Sequence, residues 1–464
     1  MKPILQEVIN NIPEYKHFLT IDELDRKSYY LAYKYPEVVQ VTIPGYSRNN
    51  HPILELTIGE GPKHALLYGS PHPNEPIGTL MLDYLSEALA SNKELRDELN
   101  YTFHIIKSVD PDGTKLNEGW FKKALNVTNY ARNFYRPEAD AQVDWTFPID
   151  YKDLSFSKSI PETKVLMDII DEFKPEFIYP LHNAGFGGTY WYLSEPVEEK
   201  YEALYKCSKE VNIPIHLGEP EMPFIKKFAP AIFKMVGTKQ IYDHLDKYTP
   251  AGVSPADNIT NGTCSFEYAE NTYKPFSLMT ELPYFLDERV GNLTETEFTR
   301  RENLLEGYKY QKETLDFIRK NLTMFEKYID KNNNPFYNPI YMYINGLENN
   351  EINKVMINQN KEYEAKAKVA ETFDTLIKSK FYMGILAIGI LYRASLYELD
   401  RIMDIKSFKE RIDILKKANK KAFKRLNKIA RELESELDYR VVPIKDTVKV
   451  QLETGLIFLD YLNK

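Results

Sequence analysis

Two histidines and two glutamates in this chain are placed so that they could hold and use a metal ion. His72 and Glu75 form an H-x-x-E pair within Gly69-Ser70-Pro71-His72-Pro73-Asn74-Glu75-Pro76-Ile77-Gly78. That stretch joins an apolar run, Ala65-Leu66-Leu67-Tyr68, to an apolar-periodic run from Thr79 to Leu89. On a turn from a buried strand into a helix, a His and a Glu three residues apart can reach one ion, and both are good zinc ligands at about 2.0–2.2 Å. With eight histidines in the chain, a single such pair means little. Two more residues, far downstream, give it weight. His182 ends the apolar run Phe177-Ile178-Tyr179-Pro180-Leu181 and precedes a Gly-rich loop, Gly185 to Gly188. Glu281 ends Phe276-Ser277-Leu278-Met279-Thr280, where a carboxylate is costly unless paired or functional. Open α/β sheets bind ligands outside the carboxyl ends of their strands, where His72, His182 and Glu281 are all expected. Two His and one Glu leave an open zinc position for a water, whose pKa then falls toward 7. A non-ligating carboxylate can take the proton from that water and pass it to a leaving amine. The reading is one zinc per chain, held by His72, Glu75 and His182, with Glu281 as the base.

The elements that must position these residues are legible in the period of the apolar positions. A T-x-x-E capping box opens a helix from Thr20 to Tyr35. Val38 to Ile43 and Ile53 to Ile58 read as a hairpin around Gly45 to Asn50. Strands are expected at His64–Tyr68, Tyr101–Lys107, Phe177–Leu181, Thr189–Leu193, Ile213–Leu217 and Phe276–Leu282, with helices over 79–98 and Pro161–Phe173. Strands alternating with helices predict a mixed twisted β-sheet flanked by helices, an α/β fold. After about Asn292 the texture changes to long, charged, helix-periodic segments at 294–319, 362–378, 381–399 and 407–437, with an Asn-rich loop over 331–346. The expected division is a helical extension over 1–20, a catalytic domain over 21–292 and an all-α C-terminal domain over 293–464.

Composition narrows the function class. At 464 residues the chain exceeds one ordinary domain, and a net charge of −8 argues against a globally nucleic-acid-binding protein. Two cysteines, Cys207 and Cys264, cannot build a disulfide scaffold and fit a reducing, cytoplasmic setting. The longest apolar run, Met383 to Tyr392, is too short to span a bilayer. Between Arg401 and Arg431 stand 12 Lys/Arg against three acids. Phe408, Ile412, Leu415, Phe423, Leu426, Ile429 and Leu433 run through this segment as a helical stripe, so the basic face reads as the solvated side of a packed helix. No G-x-S-x-G elbow and no H-E-x-x-H helix occurs.

The order H-x-x-E, a single His over a hundred residues later, then a strand ending in T-E-L resembles the zinc carboxypeptidases of the carboxypeptidase A type. The likeness runs from about Leu19 to Phe285. It includes Asp110-Pro111-Asp112-Gly113, Arg132-Asn133-Phe134 and Ser265-Phe266-Glu267-Tyr268, which is similar to the family's S-x-D-W pocket segment. The resemblance implies that Arg132, with Asn133 beside it, binds the free C-terminal carboxylate of a peptide, a task suited to a planar guanidinium. It implies that Phe266 floors the specificity pocket, disfavouring basic side chains. The family's carbonyl-polarising Arg would fall near Trp120-Phe121-Lys122-Lys123, so Lys122 is the expected replacement. Two departures stand out: Ala131 where the family has Asn, and Ile259 near the place of its mobile Tyr.

The implied function is a zinc metallocarboxypeptidase acting on the C-terminal amide bond of a peptide, without nucleic-acid or membrane partners. The helical domain offers a surface for homo-oligomer formation. The nearest rival is an N-acyl amino acid deacylase of the succinylglutamate desuccinylase and aspartoacylase type, which Ala131 and the missing Tyr keep open. A non-catalytic scaffold is the third reading.

Overall fold

The computed structural model describes residues 2–222, 224–249, 252–348, 350–402 and 409–463. Helices α1 (Pro3–Asn10) and α2 (Ile21–Lys34) precede a hairpin of β1 (Val39–Tyr46) and β2 (Pro52–Ile58). The capping box on α2 is present: Thr20 accepts from Glu23 N–H, and Glu23 accepts from Thr20 N–H at 2.8 Å. Next come β3 (Lys63–Gly69), α3 (Ile77–Ser91), α4 (Lys93–Leu99), β4 (Tyr101–Ile106), α5 (Pro111–Phe121) and α6 (Val127–Asn133). The helix expected over 79–98 is thus two, because Asn92 leaves the helical region and caps α4 through Leu95 N–H. After a small hairpin, β5 (Ile149–Tyr151) and β6 (Leu154–Phe156), come α7 (Pro161–Phe173), β7 (Phe177–Leu181), β8 (Ala184–Phe186), β9 (Tyr190–Leu193) and α8 (Tyr201–Glu210). The strand expected over 213–217 is only a single bridge, Ile215 to Thr189. Then come β10 (Lys227–Ala229), β11 (Ile232–Lys234), α9 (Thr238–Asp246), α10 (Ser265–Glu270), β12 (Phe276–Glu281) and β13 (Pro283–Asp287).

Nine strands form one mixed sheet in the order β1-β2-β4-β3-β7-β12-β9-β11-β10. Its centre, β4-β3-β7-β12, is parallel, so the ends of β3, β7 and β12 lie side by side on one edge. Alternation along β3 feeds two cores. Ala65 and Leu67 point into the one shared with α3, while Leu66 and Tyr68 point into the one shared with Val165, Leu166, Ile169 and Ile170 of α7. The mixed sheet flanked by helices is the expected class, and the C-terminal region is helical.

The remainder of the chain contains β14 (Glu295–Thr299), α11 (Arg300–Phe325), α12 (Tyr337–Glu348), α13 (Asn350–Gln359), β15 (Lys366–Lys368), α14 (Val369–Leu376), α15 (Ala387–Asp400), α16 (Lys409–Glu436), β16 (Tyr439–Val441) and α17 (Ile444–Leu462). A π-helical stretch, Ile377–Leu386, joins α14 to α15. Where an Asn-rich loop was expected, α12 forms, burying Ile340, Tyr343, Ile344 and Leu347. Phe408 of the expected stripe on α16 lies outside the described residues. Ile412, Leu415, Leu426, Ile429 and Leu433 are buried, and Phe423 is half-buried.

The division expected at 292/293 does not separate two cores. β16 pairs antiparallel with β13, and α17 packs on α3, β7 and β12. Buried residues from α17, such as Val448, Leu452, Leu456 and Phe458, share one core with Phe177, Tyr179 and Leu278 of the sheet. Tyr179 donates its hydroxyl to Gln451 O at 2.9 Å, and Trp191 Nε1 donates to Thr454 at 3.3 Å. The helical region is therefore an excursion between two paired strands, after which the chain returns to pair β16 with β13 in a separate three-stranded sheet and to pack α17 on the main one. The continuous helix Val369–Asp400 is long and apolar enough to cross a membrane, but 61% of its most apolar window is buried inside the molecule, which is how a core helix looks.

Candidate metal centre

The turn after β3 is held in a conformation few side chains adopt. Ser70 is fully buried with φ of 51°, a left-handed value that costs a non-glycine residue on the order of 1–3 kcal/mol. That turn swings His72 and Glu75 toward β7. Asn74 O accepts from the Tyr284 hydroxyl at 2.8 Å, and Ile77 N–H at the start of α3 donates to Asn183 Oδ1. Both contacts pin the loop against the residues just beyond β7 and β12.

Three donors meet in this corner. His72 Nδ1 lies 3.1 Å from Glu75 Oε1, His182 Nδ1 lies 3.1 Å from Glu75 Oε2, and the two Nδ1 atoms are 3.2 Å apart. Ligands about 2.0–2.1 Å from a tetrahedral zinc are separated by about 3.3 Å. These separations are thus close to those between neighbouring ligands of one zinc ion. On its other side His182 Nε2 lies 2.8 Å from Asp144 Oδ2, and the Asp144 Oδ1 atom accepts from the Tyr68 hydroxyl. A carboxylate behind a ligating imidazole fixes its tautomer and orientation. His72, Asp144 and His182 also form a group whose ligand atoms all lie within 4.8 Å of one another. His72 Nε2 is buried without a hydrogen-bond partner, an unmet polar atom that suits a cation-binding cluster, while His182 Nε2 and Asp144 Oδ2 face each other at 2.8 Å. The residues present fit a zinc ion.

The electrostatics follow from burial and closeness. Burial raises Glu75, but the His72 charge and the hydrogen bonds from His182 and His72 outweigh it and hold the carboxyl well below its usual range. Burial lowers His182, yet Asp144 and Glu75 on its two nitrogens raise it well above an ordinary histidine. His72 is pushed down to about 4, first by burial and then by the Arg136 charge. Glu281, at the end of β12 opposite Tyr190, is 8% exposed. Burial, then the neighbouring charge of Glu75, pushes its pKa well above the usual carboxylate value.

The structure brings His72, Glu75 and His182 together, with Glu281 beside them. It does not bring Lys122 or Arg132 there. Lys122 closes the end of α5 and pairs with Glu23 of α2 at 2.6 Å, on the surface. Arg132 lies on the outer face of α6, donates to Asn427 of α16 at 2.6 Å and stacks over Phe423 at 4.8 Å. Asn133 donates to Asn129 O at 2.8 Å and serves its own helix. Phe266 is buried in an apolar cluster with Tyr190, Tyr192, Phe233 and Met235, next to Glu281 through Tyr190.

A cation that sequence reasoning missed stands at the site instead. Arg136 Nη1 lies 3.3 Å from Glu75 Oε1, and its Nε donates to Gln142 at 3.2 Å. Helix α6 ends at Asn133, and Phe134 turns the backbone to an extended conformation, with ψ of 137°. Arg136 therefore leaves the helical face that Arg132 occupies. The available signal was a second arginine four residues on, held before Pro137. Asp144 was missed too; its only mark in the sequence was a charged residue within Val143-Asp144-Trp145.

A mixed sheet carrying a buried His–Glu–His cluster at the carboxyl edge of its parallel strands defines a candidate metallohydrolase centre. Residues 27–218 match the zinc carboxypeptidase family model, so that segment is similar to the zinc carboxypeptidases. Among solved structures, carboxypeptidase A from Helicoverpa armigera is 16% identical over 61% of this chain and 70% of that one, with a TM-score of 0.35. A metallo-carboxypeptidase from Burkholderia cenocepacia is 16% identical over 57% of this chain and 60% of that one, with a TM-score of 0.33. The family match over that segment supports a metallopeptidase.

Proposed function

We propose that the protein is a zinc-dependent hydrolase that cleaves the C-terminal amide bond of a peptide. The observation that carries this reading is the approach of His72 Nδ1 and His182 Nδ1 to each other at 3.2 Å and to the two Glu75 oxygens at 3.1 Å each, beside the buried Glu281 carboxyl. His72, Glu75 and His182 hold the ion, and Asp144 orients His182. Zinc bound there supplies Lewis acidity to a water and to the scissile carbonyl. Glu281 takes a proton from the attacking water and delivers it to the leaving nitrogen. Burial raises its pKa above the ordinary carboxylate value, which makes the carboxyl a better proton acceptor than an exposed glutamate. Arg136, part of whose guanidinium remains open to solvent, offsets the charge that builds on the carbonyl oxygen. The buried rim keeps bulk water from the proton path.

The test is metal content by elemental mass spectrometry together with amino-acid release from acetylated peptides. About one zinc per chain, and release that stops in Glu281→Gln while the zinc stays, is the expected result. Unchanged release in Glu281→Gln overturns the mechanism.

A further inference from the structure

The helical region, outside the family-matching segment, reaches the sheet rim close to Glu281. Helix α14 runs directly into the π-helical stretch Ile377–Leu386. Asp374, Lys378 and Tyr382 are spaced four apart along it, which puts them on one face. The outer two dock on the sheet rim. Asp374 Oδ2 accepts from Glu219 N–H at 2.7 Å and lies 3.0 Å from His216 Nε2. The Tyr382 hydroxyl accepts from Gly185 N–H at 2.9 Å, three residues beyond His182. The approach is close enough to require glycines in the rim. A Cβ on Gly218 would overlap the Asp374 carboxylate, and one on Gly185 would come within 2.5 Å of the Phe381 ring.

Lys378 lies between these two anchors on the same helix face, and the charges nearest its ammonium are those of Glu219, Glu221 and Asp374. It is exposed, and among the described residues no hydrogen bond or ion pair engages it. The acids around it are already committed. Glu219 is held by Arg300 at 2.6 and 2.9 Å, Asp374 by His216, and Glu221 accepts the Tyr190 hydroxyl at 2.7 Å. Tyr190 sits directly across from Glu281 in the sheet, which ties this cluster to the reacting end of the site. Dense protein around the ammonium lowers its pKa against the pull of Glu219, Glu221 and Asp374. The other cations are engaged: Arg132 on α16, Lys122 on α2, and Arg136 on Glu75.

We infer that Lys378 is a specificity-determining residue whose ammonium receives the free C-terminal carboxylate of the substrate. This rests on the peptidase reading of the site. A terminal carboxylate gives this unpaired ammonium a charge-assisted partner, and a terminal amide does not.

The test is calorimetric titration of the zinc-loaded full chain with N-acetylphenylalanine and, separately, with its C-terminal amide. The aromatic probe suits the cluster of Tyr190, Tyr192, Phe233 and Phe266. In the wild type the acid is expected to bind about tenfold or more tighter than the amide, about 1.4 kcal/mol or more. In Lys378→Met that ratio falls to near one, while Lys378→Arg keeps it; circular dichroism confirms that both variants fold. A wild-type ratio near one, failure of both probes to bind, or a ratio that survives in Lys378→Met overturns the inference. Peptide turnover is scored separately. A protein that shows the acid preference and its loss in Lys378→Met, yet releases no amino acid, refutes the peptidase reading and leaves the carboxylate site standing.

Discussion

Charged side chains at the sheet edge and on the π-helical face docked against its rim are held in different ways. At the edge, Glu75 and His182 are 2–3% exposed, and each has partners on two sides. On the facing helix Lys378 is exposed and unpaired, and only its neighbours one turn away are anchored. Arg136 falls between, 28% exposed with one contact to the edge. Groups that must keep sub-ångström geometry are over-determined by packing, whereas groups that must meet a variable ligand are left with donors to spare. In the proposed scheme chemistry belongs to the sheet and selection to the helical excursion docked on its rim.

The comparison is broken most severely at Glu281. Glu281→Gln should lower amino-acid release about 10³-fold in steady-state assays, with zinc content unchanged. A full-rate variant would remove the edge from the chemistry. Next, Arg136→Met should cost about 10²-fold in kcat/KM, while Arg132→Met leaves kcat/KM near wild type and appears only in urea unfolding, as a loss of about 1 kcal/mol. The reverse outcome would restore the expectation attached to Arg132. Asp144→Asn should weaken zinc about 10- to 100-fold in competition with a chelator, since it loosens the imidazole without removing a ligand.

A smaller effect sharpens the boundary between the two regions. Burial lowers His216, but the Asp374 carboxylate 3.0 Å away outweighs it and raises the imidazole above its ordinary value. A raised histidine adds stability that is complete below its unfolded pKa of about 6.5 and is lost as pH climbs through the higher folded value. Protection of the Gly185 and Glu219 amides in hydrogen exchange should therefore decline from slightly acid to alkaline pH, and Asp374→Asn should flatten that dependence. The smallest change expected is at Ser70: Ser70→Gly should raise the unfolding midpoint by the equivalent of up to about 1 kcal/mol, by relieving the left-handed backbone.

How much of this could be read from the residues depended on what fixes each one. His72, His182 and Glu281 close apolar strands, and the alternation of a strand dictates where its end lies. Their meeting follows once three parallel strands are adjacent. Arg132, Asn133 and Lys122 sit on or beside short helices, where the direction a side chain takes depends on what packs alongside. Contacts with α16 and α2 decide it, and no local pattern announces them. Arg136 escaped notice because it lies one turn of backbone past a helix end that only the fold defines. The break expected after residue 292 failed for a related reason. A change of period marks the start of the helical excursion, but the return of α17 to the sheet is long-range pairing, visible only in Tyr179, Gln451, Trp191 and Thr454.

That return has a bearing on how the chain folds as it is made. Roughly 150 residues separate β13 from its partner β16, so the face of β7 and β12 that α17 covers must wait until the chain has been made through α17. Translation at about 5–20 residues per second leaves that apolar face open for several seconds to half a minute, a window in which a nascent chain is exposed to aggregation and to chaperones. A ribosome-bound chain that has not yet made α17 carries every proposed zinc ligand and no finished core.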